Sequence, residues 1–209
     1  MRINARTLIL CGALSPIIYI VTSVIGGLLL PEYSHIKHSV SDLLATGAPN
    51  KILLDSLMFL SNILTIIGCS AVIVKYKNNL NIKVKTGISL ILATGLLNIV
   101  SSYIFRLPLE GAMTISGMIH ITIVILVVLL TMTAILLIGF GIHKYKGWSV
   151  FKNYSIITFL FFLLMGLLSP VIIAKSIPLI GLFERLAVFT YFQWVIVLFA
   201  KLYKYKIYI

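Results

Sequence analysis

The sequence predicts an all-α fold, a polytopic membrane protein built as a bundle of six transmembrane helices. Three observations carry that expectation. The 209 residues are 60% hydrophobic and only 11% charged, against roughly 25% charged in ordinary soluble chains. The apolar residues fall into six runs, each long enough to cross a hydrocarbon core of ~30 Å. The basic residues sit in short clusters between those runs, which is the pattern of positive-inside anchoring. A net charge of +12 would otherwise suggest nucleic acid. Its confinement to clusters beside apolar spans points to the membrane and excludes that class.

Residues 1–209 are read as one membrane domain. Span one covers about 7–30. Arg2 and Arg6 precede it, but the run continues without a small-residue cleavage site, so it is a span and not a leader. Ser15-Pro16 should kink it, because proline removes a backbone donor. Ser23 and Gly27 form a small-xxx-small pair expected to admit a neighbouring helix. A long polar stretch follows, from Pro31-Glu32-Tyr33-Ser34-His35 to Pro49-Asn50. Span two covers about 52–74 and ends in a basic loop with Lys75, Lys77, Lys83 and Lys85. Span three covers about 88–105 and span four about 115–140. A second basic loop carries Lys144, Lys146 and Lys152, with Trp148 expected as an interface anchor. Spans five and six cover about 154–174 and 180–200, and the tail carries Lys201, Lys204 and Lys206. Cys11 and Cys69 lie inside apolar runs, where cysteine acts as a small hydrophobe.

The charges set the expected direction. Counted by side, the start of the chain, the two basic loops and the tail hold 12 of the 17 Lys and Arg residues and no acid. The other three connections, with the helix ends beside them, hold Lys37, Lys51, Arg106, Lys175 and Arg185. They also hold all five acids: Glu32, Asp42, Asp55, Glu110 and Glu184. Both termini are therefore expected in the cytoplasm of a multi-pass cell-membrane protein, with the polar stretch outside.

Polar residues inside spans need protein or water around them. Asp55 and Asn62 are seven apart on span two, hence on one face. Thr94, Asn98, Ser101 and Ser102 share a face of span three. Ser116 and His120 are four apart on span four. Glu184, Arg185, Thr190 and Gln193 lie along span six. The simplest assembly gathers these faces into an outward polar pocket covered by the first loop.

The stretch Tyr33-Ser34 … Lys37-His38-Ser39-Val40-Ser41-Asp42-Leu43 … Gly47-Ala48-Pro49, with His120 and Gly181-Leu182-Phe183-Glu184-Arg185-Leu186, resembles the integral membrane family named domain of unknown function 998. The resemblance covers nearly the whole chain. It implies six spans and brings no activity with it. It also implies that His38, Ser41, His120 and Arg185 match recurring family positions. Family members often carry an acid in a Phe-Pro-x-Asp turn after span three. Here the turn reads Phe105-Arg106-Leu107-Pro108-Leu109-Glu110, so that acid is missing or replaced by Glu110. A looser similarity, through an outward Ser-Asp … Gly … Pro loop, is to the multi-span Frag1/DRAM/Sfk1 group.

The expected function is an outward pocket that binds, and in an extension modifies, a lipid headgroup or other amphiphile. His120, His38, Asp55 and Glu184 are the candidate catalytic residues, with His120 as general base oriented by Asp55 or Glu184. Ser41, Asp42, Asn62, Asn98, Arg185 and Gln193 are the candidate ligand contacts. Arg185 or Lys37 would pair with a phosphate. A seryl nucleophile at Ser39 or Ser41 lacks the elbow such residues need. His35-x-x-His38 with His120 and a carboxylate would supply enough ligands for zinc, but the spacing is no recognised zinc pattern. No cofactor is therefore expected, and membrane lipids are the expected partners. Two alternatives remain: a small-solute transporter or channel lined by Asn62, Asn98 and Gln193, and a non-catalytic membrane assembly partner.

Overall fold

A computed structural model describes residues 4–44, 48–108 and 113–204. Arg2, Gly47, Glu110 and Lys206, which enter the sequence argument, lie outside the described residues. Six α-helices follow in order: α1 Ala5–Leu29, α2 Lys51–Lys75, α3 Ile82–Tyr103, α4 Ile115–Ile142, α5 Phe151–Ala174 and α6 Ile180–Lys204. Each is long and apolar enough to cross a membrane. Among the described residues there is no strand. Each helix packs on the next, and α6 returns to α1, closing a ring. The antiparallel order creates two ends. One carries the lysine clusters and is called the basic end. The other carries residues 31–44 and 48–50 and is called the loop end.

Local sequence sets the helix ends. Asn4 caps α1 by accepting from the Arg6 amide at 2.9 Å, and Thr114 caps α4 by accepting from Gly117 at 3.0 Å. Asn81 caps α3 by accepting from Val84 at 3.1 Å. That cap explains one difference from expectation. Helix α3 starts at Ile82, six residues before the expected span, so Lys83 and Lys85 are helical and not in a loop. Lysines in the first turn of a span can still reach water along their long stems. Helix α1 runs unbroken through Pro16.

The main core fills the basic half of the ring. Ile9, Cys69, Ile91, Ile138, Trp194 and Leu198 are among its fully buried members. Polar side chains then tie helix ends together there. The Asn81 amide group donates to Gly141 O at 2.8 Å, Tyr76 donates to Leu202 O at 3.0 Å, and Arg6 donates to Tyr203 O at 3.0 Å. The first of these bonds satisfies a carbonyl in the last turn of α4 that has no helical partner. Trp148 does not sit as an interface anchor. It is fully buried, with the Lys201 ammonium 4.9 Å from its ring, because the 143–150 turn folds back under α6.

A second, smaller core lies at the loop end: Val40, Leu43, Leu54 and Met58, flanked by Tyr19, Leu30, Tyr33 and Leu44. Between the two cores, Ser15 bonds Ser61 at 3.1 Å and Thr65 at 2.6 Å, and Ser61 donates to Ser15 O at 2.9 Å. This triad joins α1 to α2. One step towards the basic end the two backbones nearly touch. A Cβ on Gly68 would lie 2.4 Å from Gly12 N, so only glycine fits.

That contact generates a paired prediction. Gly68→Ala should lower the thermal midpoint of detergent-solubilised protein, by about 1–3 kcal/mol of overpacking. At Gly166 an added Cβ meets nothing within 4 Å. Gly166→Ala should therefore leave the midpoint unchanged or raise it, since glycine costs a helix roughly 0.5–1 kcal/mol relative to alanine. Equal midpoints for the two variants would contradict the α1–α2 crossing.

Candidate functional site

The first loop folds down onto α1, α2 and α6 as a lid, and Arg185 holds it. Gly181-x-x-x-Arg185 puts both residues on one face of α6. Gly181 leaves room, since a Cβ there would lie 2.1 Å from His38 O. Through that gap Arg185 Nη1 donates to His35 O at 2.8 Å, to His38 O at 2.9 Å and to Gly181 O at 3.0 Å. Its Nη2 donates to the Tyr33 hydroxyl, which itself donates to Ser39 O at 2.6 Å. Glu184 turns the other way and accepts from the Val40 amide at 3.0 Å. Ser39 and Asp42 close a reciprocal capping box, with Ser39 N to Asp42 Oδ2 at 2.8 Å and Asp42 N to Ser39 Oγ at 3.2 Å. The box starts the 3-10 turn Ser41–Leu44, whose Leu43 inserts into the smaller core. Across the lid, the Leu182 amide donates to Ile36 O at 3.0 Å.

The lid histidines have defined roles. His38 Nδ1 accepts from the Ser34 amide at 3.0 Å, so its neutral form carries the proton on Nε2. His35 lies against α1, and a Cβ on Gly27 would come within 2.3 Å of its ring. The close approach at Gly27 is therefore made by the lid's imidazole and not by a neighbouring helix. A flat ring fills the notch that the missing side chain leaves.

Two further polar contacts continue around the loop end. Asp55 is shared by Lys51 at 3.0 Å and Arg106 at 3.3 Å. Lys51 also donates to Leu44 O at 2.9 Å, which ties the lid to α2. Tyr103 donates to Asp55 O, and the Arg106 guanidinium lies 5.5 Å from the Tyr103 ring centroid. Next to this, His120 Nδ1 lies 2.9 Å from Phe105 O and 2.9 Å from Ser101 Oγ. A carbonyl only accepts, so Nδ1 carries the proton there. Ser116 donates to Arg106 O at 3.0 Å. Together His120 and Ser116 on α4 satisfy the carbonyls exposed where α3 unwinds.

The candidate residues are thus divided among neighbouring contacts. Arg185, Glu184, His38 and Asp42 meet at the lid, beside Ser41, which opens the 3-10 turn. Asp55 sits between α2 and α3, and His120 between α3 and α4. His120 touches neither Asp55 nor Glu184, because its Nδ1 is taken up by the α3 carbonyls. Three amides stand apart. Asn62 donates to Met58 O on its own helix at 3.1 Å. Asn98 is half-buried on α3. Gln193 is exposed towards the basic half, where it accepts from Tyr154. Among the described residues no group of three or more His, Cys, Asp or Glu is placed to hold a metal ion. A shallow cleft of about 730 Å³ opens beside the start of α2, lined by Ala48, Asn50, Lys51, Ile52, Leu53 and Ser56. The sequence argument gave no site role to Tyr33, Tyr103 or Arg106, which prove to be the clasps. Their only signal was position, at the ends of apolar runs.

The lid carries a pH dependence. Burial, and secondarily the Arg185 guanidinium, hold the His35 imidazole below its ordinary value. The folded state therefore binds its proton less readily than the unfolded chain does. Stability is fully present above about pH 6.5 and falls as pH drops through the lowered value. Thermal midpoints should decline below that pH, and His35→Gln should flatten the decline. An identical profile in that variant would show that His35 takes no part.

No curated protein matches the chain, and no solved structure matches it. One family model does, over residues 13–201, and its description is Protein of unknown function (DUF998). That match covers α2 to α5 whole, most of α1 and α6, the 33–42 stretch and the Glu184-Arg185 step, so the chain, with six helices long and apolar enough to cross a membrane, belongs to this family.

Proposed function

We propose that the protein binds the anionic headgroup of a lipid or other amphiphile beneath its lid, at the outer face of the cell membrane, with Arg185 as the anchor. One observation carries this reading. Arg185 is 7% exposed, its Nε has no hydrogen-bond partner, and the ion pairs of the described residues leave it out. All of its hydrogen bonds go to neutral oxygens, and the nearby Glu184 carboxylate is spent on the Val40 amide instead of bonding the guanidinium. A buried guanidinium without a bonded countercharge is costly. Ionisable groups within spans mark function by default. An anion would supply that bonded countercharge. Nε and Nη2 form the edge of the fork that takes an oxyanion through two parallel bonds. Of these, Nη2 is held by a neutral tyrosine hydroxyl that an anionic oxygen would replace. Lysine placement supports an outward lid.

Binding, without a reaction, is what the other side chains favour. Asp55 and the His120 Nδ1 are engaged in holding helix ends, and the lid carboxylates cap backbone amides. The lid rim adds exposed Lys37 and the exposed apolar Ile36, a mixture suited to a headgroup and the start of its chains.

The test uses purified protein in neutral detergent. Phosphatidic acid should raise the thermal midpoint, and diacylglycerol, which lacks the phosphate, should not. Arg185→Gln should weaken the phosphatidic acid response by about tenfold or more, since a hydrogen bond to a charged group is worth about 1.5–3 kcal/mol. Arg185→Lys keeps the charge without the fork and should fall between. A folded Arg185→Gln protein that responds like the parent would refute the assignment.

A further inference from the structure

The seam between α1 and α6, directly beneath the lid, contains a second donor that the fold leaves unused. Ser23 is fully buried, and its Oγ has no hydrogen-bond partner. Hydroxyls on helices commonly bond the carbonyl four residues back. In this chain Thr22 does so to Ile18 at 2.7 Å, Ser56 to Ile52 at 2.8 Å, Ser155 to Phe151 at 2.8 Å and Ser169 to Met165 at 2.9 Å. Ser23 does not turn back onto Tyr19.

Its neighbours on the same α1 face say where it sits. One turn towards the basic end, Tyr19 packs on Phe192 of α6 with ring centroids 4.8 Å apart, within electrostatic reach of Glu184, Arg185 and Tyr33. One turn towards the loop end, Gly27 receives the ring of His35. The carbonyl of that same His35 is held by Arg185. Ser23 thus lies between two residues that both face the Arg185 cluster. Three buried side-chain groups lack partners among the described residues: Trp148 Nε1–H lies at the basic end, while the Ser23 hydroxyl and the Arg185 Nε–H both lie at the loop end, beside the α1–α6 seam.

From this juxtaposition we infer that the seam is a two-donor seat for a phosphate-type oxyanion, with Ser23 supplying the neutral hydrogen bond and Arg185 the charge. The inference rests on the anion-binding reading above and names the ligand class and the second residue. A phosphate presents several acceptor oxygens at tetrahedral angles, so it can meet a guanidinium edge and a hydroxyl on different sides. A carboxylate is planar and fills the guanidinium edge with both of its oxygens. Entry requires Tyr33 to leave Nη2, which lifts the 33–38 segment from α6. Phosphate can come from a lipid headgroup or from solution, and the experiment separates the two.

The probes are phosphatidic acid, inorganic phosphate and diacylglycerol, added to the purified full chain in neutral detergent. The readout is the ligand concentration giving half the thermal shift. Without ligand, Ser23→Ala should melt at the parent temperature or above, because it removes a hydroxyl that is buried without a partner. With phosphatidic acid it should need about fivefold to tenfold more ligand, the loss of one neutral hydrogen bond. Ser23→Cys, close in size but a weak donor, should show the same loss. If inorganic phosphate gives the same serine-dependent shift, the seat stands and takes free phosphate. If Ser23→Ala binds like the parent while Arg185→Gln does not, the two-donor seat is overturned and the arginine reading survives. If neither phosphate probe shifts the parent protein, the arginine reading falls and the seat with it.

Discussion

A single guanidinium, lowered about 8 Å into the bundle along α6, decides how the loop end is built. Arg185 reaches the lid only because Gly181 has no side chain to block it. Its donors then hold His35 O, His38 O and the Tyr33 hydroxyl. Fixing those three points fixes the rest of the loop. Tyr33 gathers Ser39 O, Ser39 and Asp42 start the 3-10 turn, and Leu43 drops between Gly26 and Leu54. From there Leu44 O takes Lys51, Lys51 takes Asp55, and Asp55 takes Arg106. The backbone at Arg106 is held by Ser116 on α4. The lid is thereby linked in series to α6, α2, α3 and α4.

The two ends of the bundle are held by different physics. At the basic end, bulky side chains fill the ring and glycines let helices approach. Most polar groups there close helix termini, while Trp194 on α6 donates to Ser155 on α5 at 3.0 Å within the core. In a bilayer such packing is a main source of helix association, because lipid tails are as apolar as leucine. At the loop end the apolar cluster is small, and charge-assisted hydrogen bonds do most of the joining. Such bonds are stronger than neutral ones but depend on solvent and protonation. The basic end therefore rests on packing, and the loop end on bonds that respond to solvent and protonation. On α4 this division shows in burial. Between His120 and Thr131 none of its residues is buried, whereas its last two turns are packed.

Much of the fold was legible because hydropathy and lysine placement obey the bilayer directly. Six spans follow from where apolar runs begin and end, and each error in a boundary has a local cause. At Ile82 an asparagine cap carried α3 past its lysines. The candidate site was legible in part. Glu184, Arg185 and the 33–42 stretch stood out as ionisable residues at span ends, and the structure brings them together. Helical spacing also placed Asp55 and Asn62 on one face, but shared face is not shared partner. Asp55 found two cations, while Asn62 turned to its own backbone. Sequence could not decide this, because it does not say which face meets which neighbour. Tyr33 and Tyr103 received no site role for a related reason. A tyrosine at a span end reads as an interface residue, and only the fold reveals carbonyls within reach of its hydroxyl. Trp148 shows the same ambiguity, resolved towards burial.

The histidines are engaged in holding backbone groups. A general base needs a free nitrogen facing the substrate, held in place by its other nitrogen. His120 has the orienting half of that arrangement, since Nδ1 is fixed on Phe105 O. What orients it is a helix carbonyl, and neither Asp55 nor Glu184 lies beside it to stabilise an imidazolium. His38 is held the opposite way, with Nδ1 accepting from an amide, so it too serves the backbone. Arg185 differs in kind. Among the described residues it is the one buried ionised group whose hydrogen bonds all go to neutral oxygens while a donor stays unused. The bundle has positioned a cation, shielded it from water and covered it with the 33–42 loop. On the proposed reading those features would hold an anion, and none of them requires the anion to react.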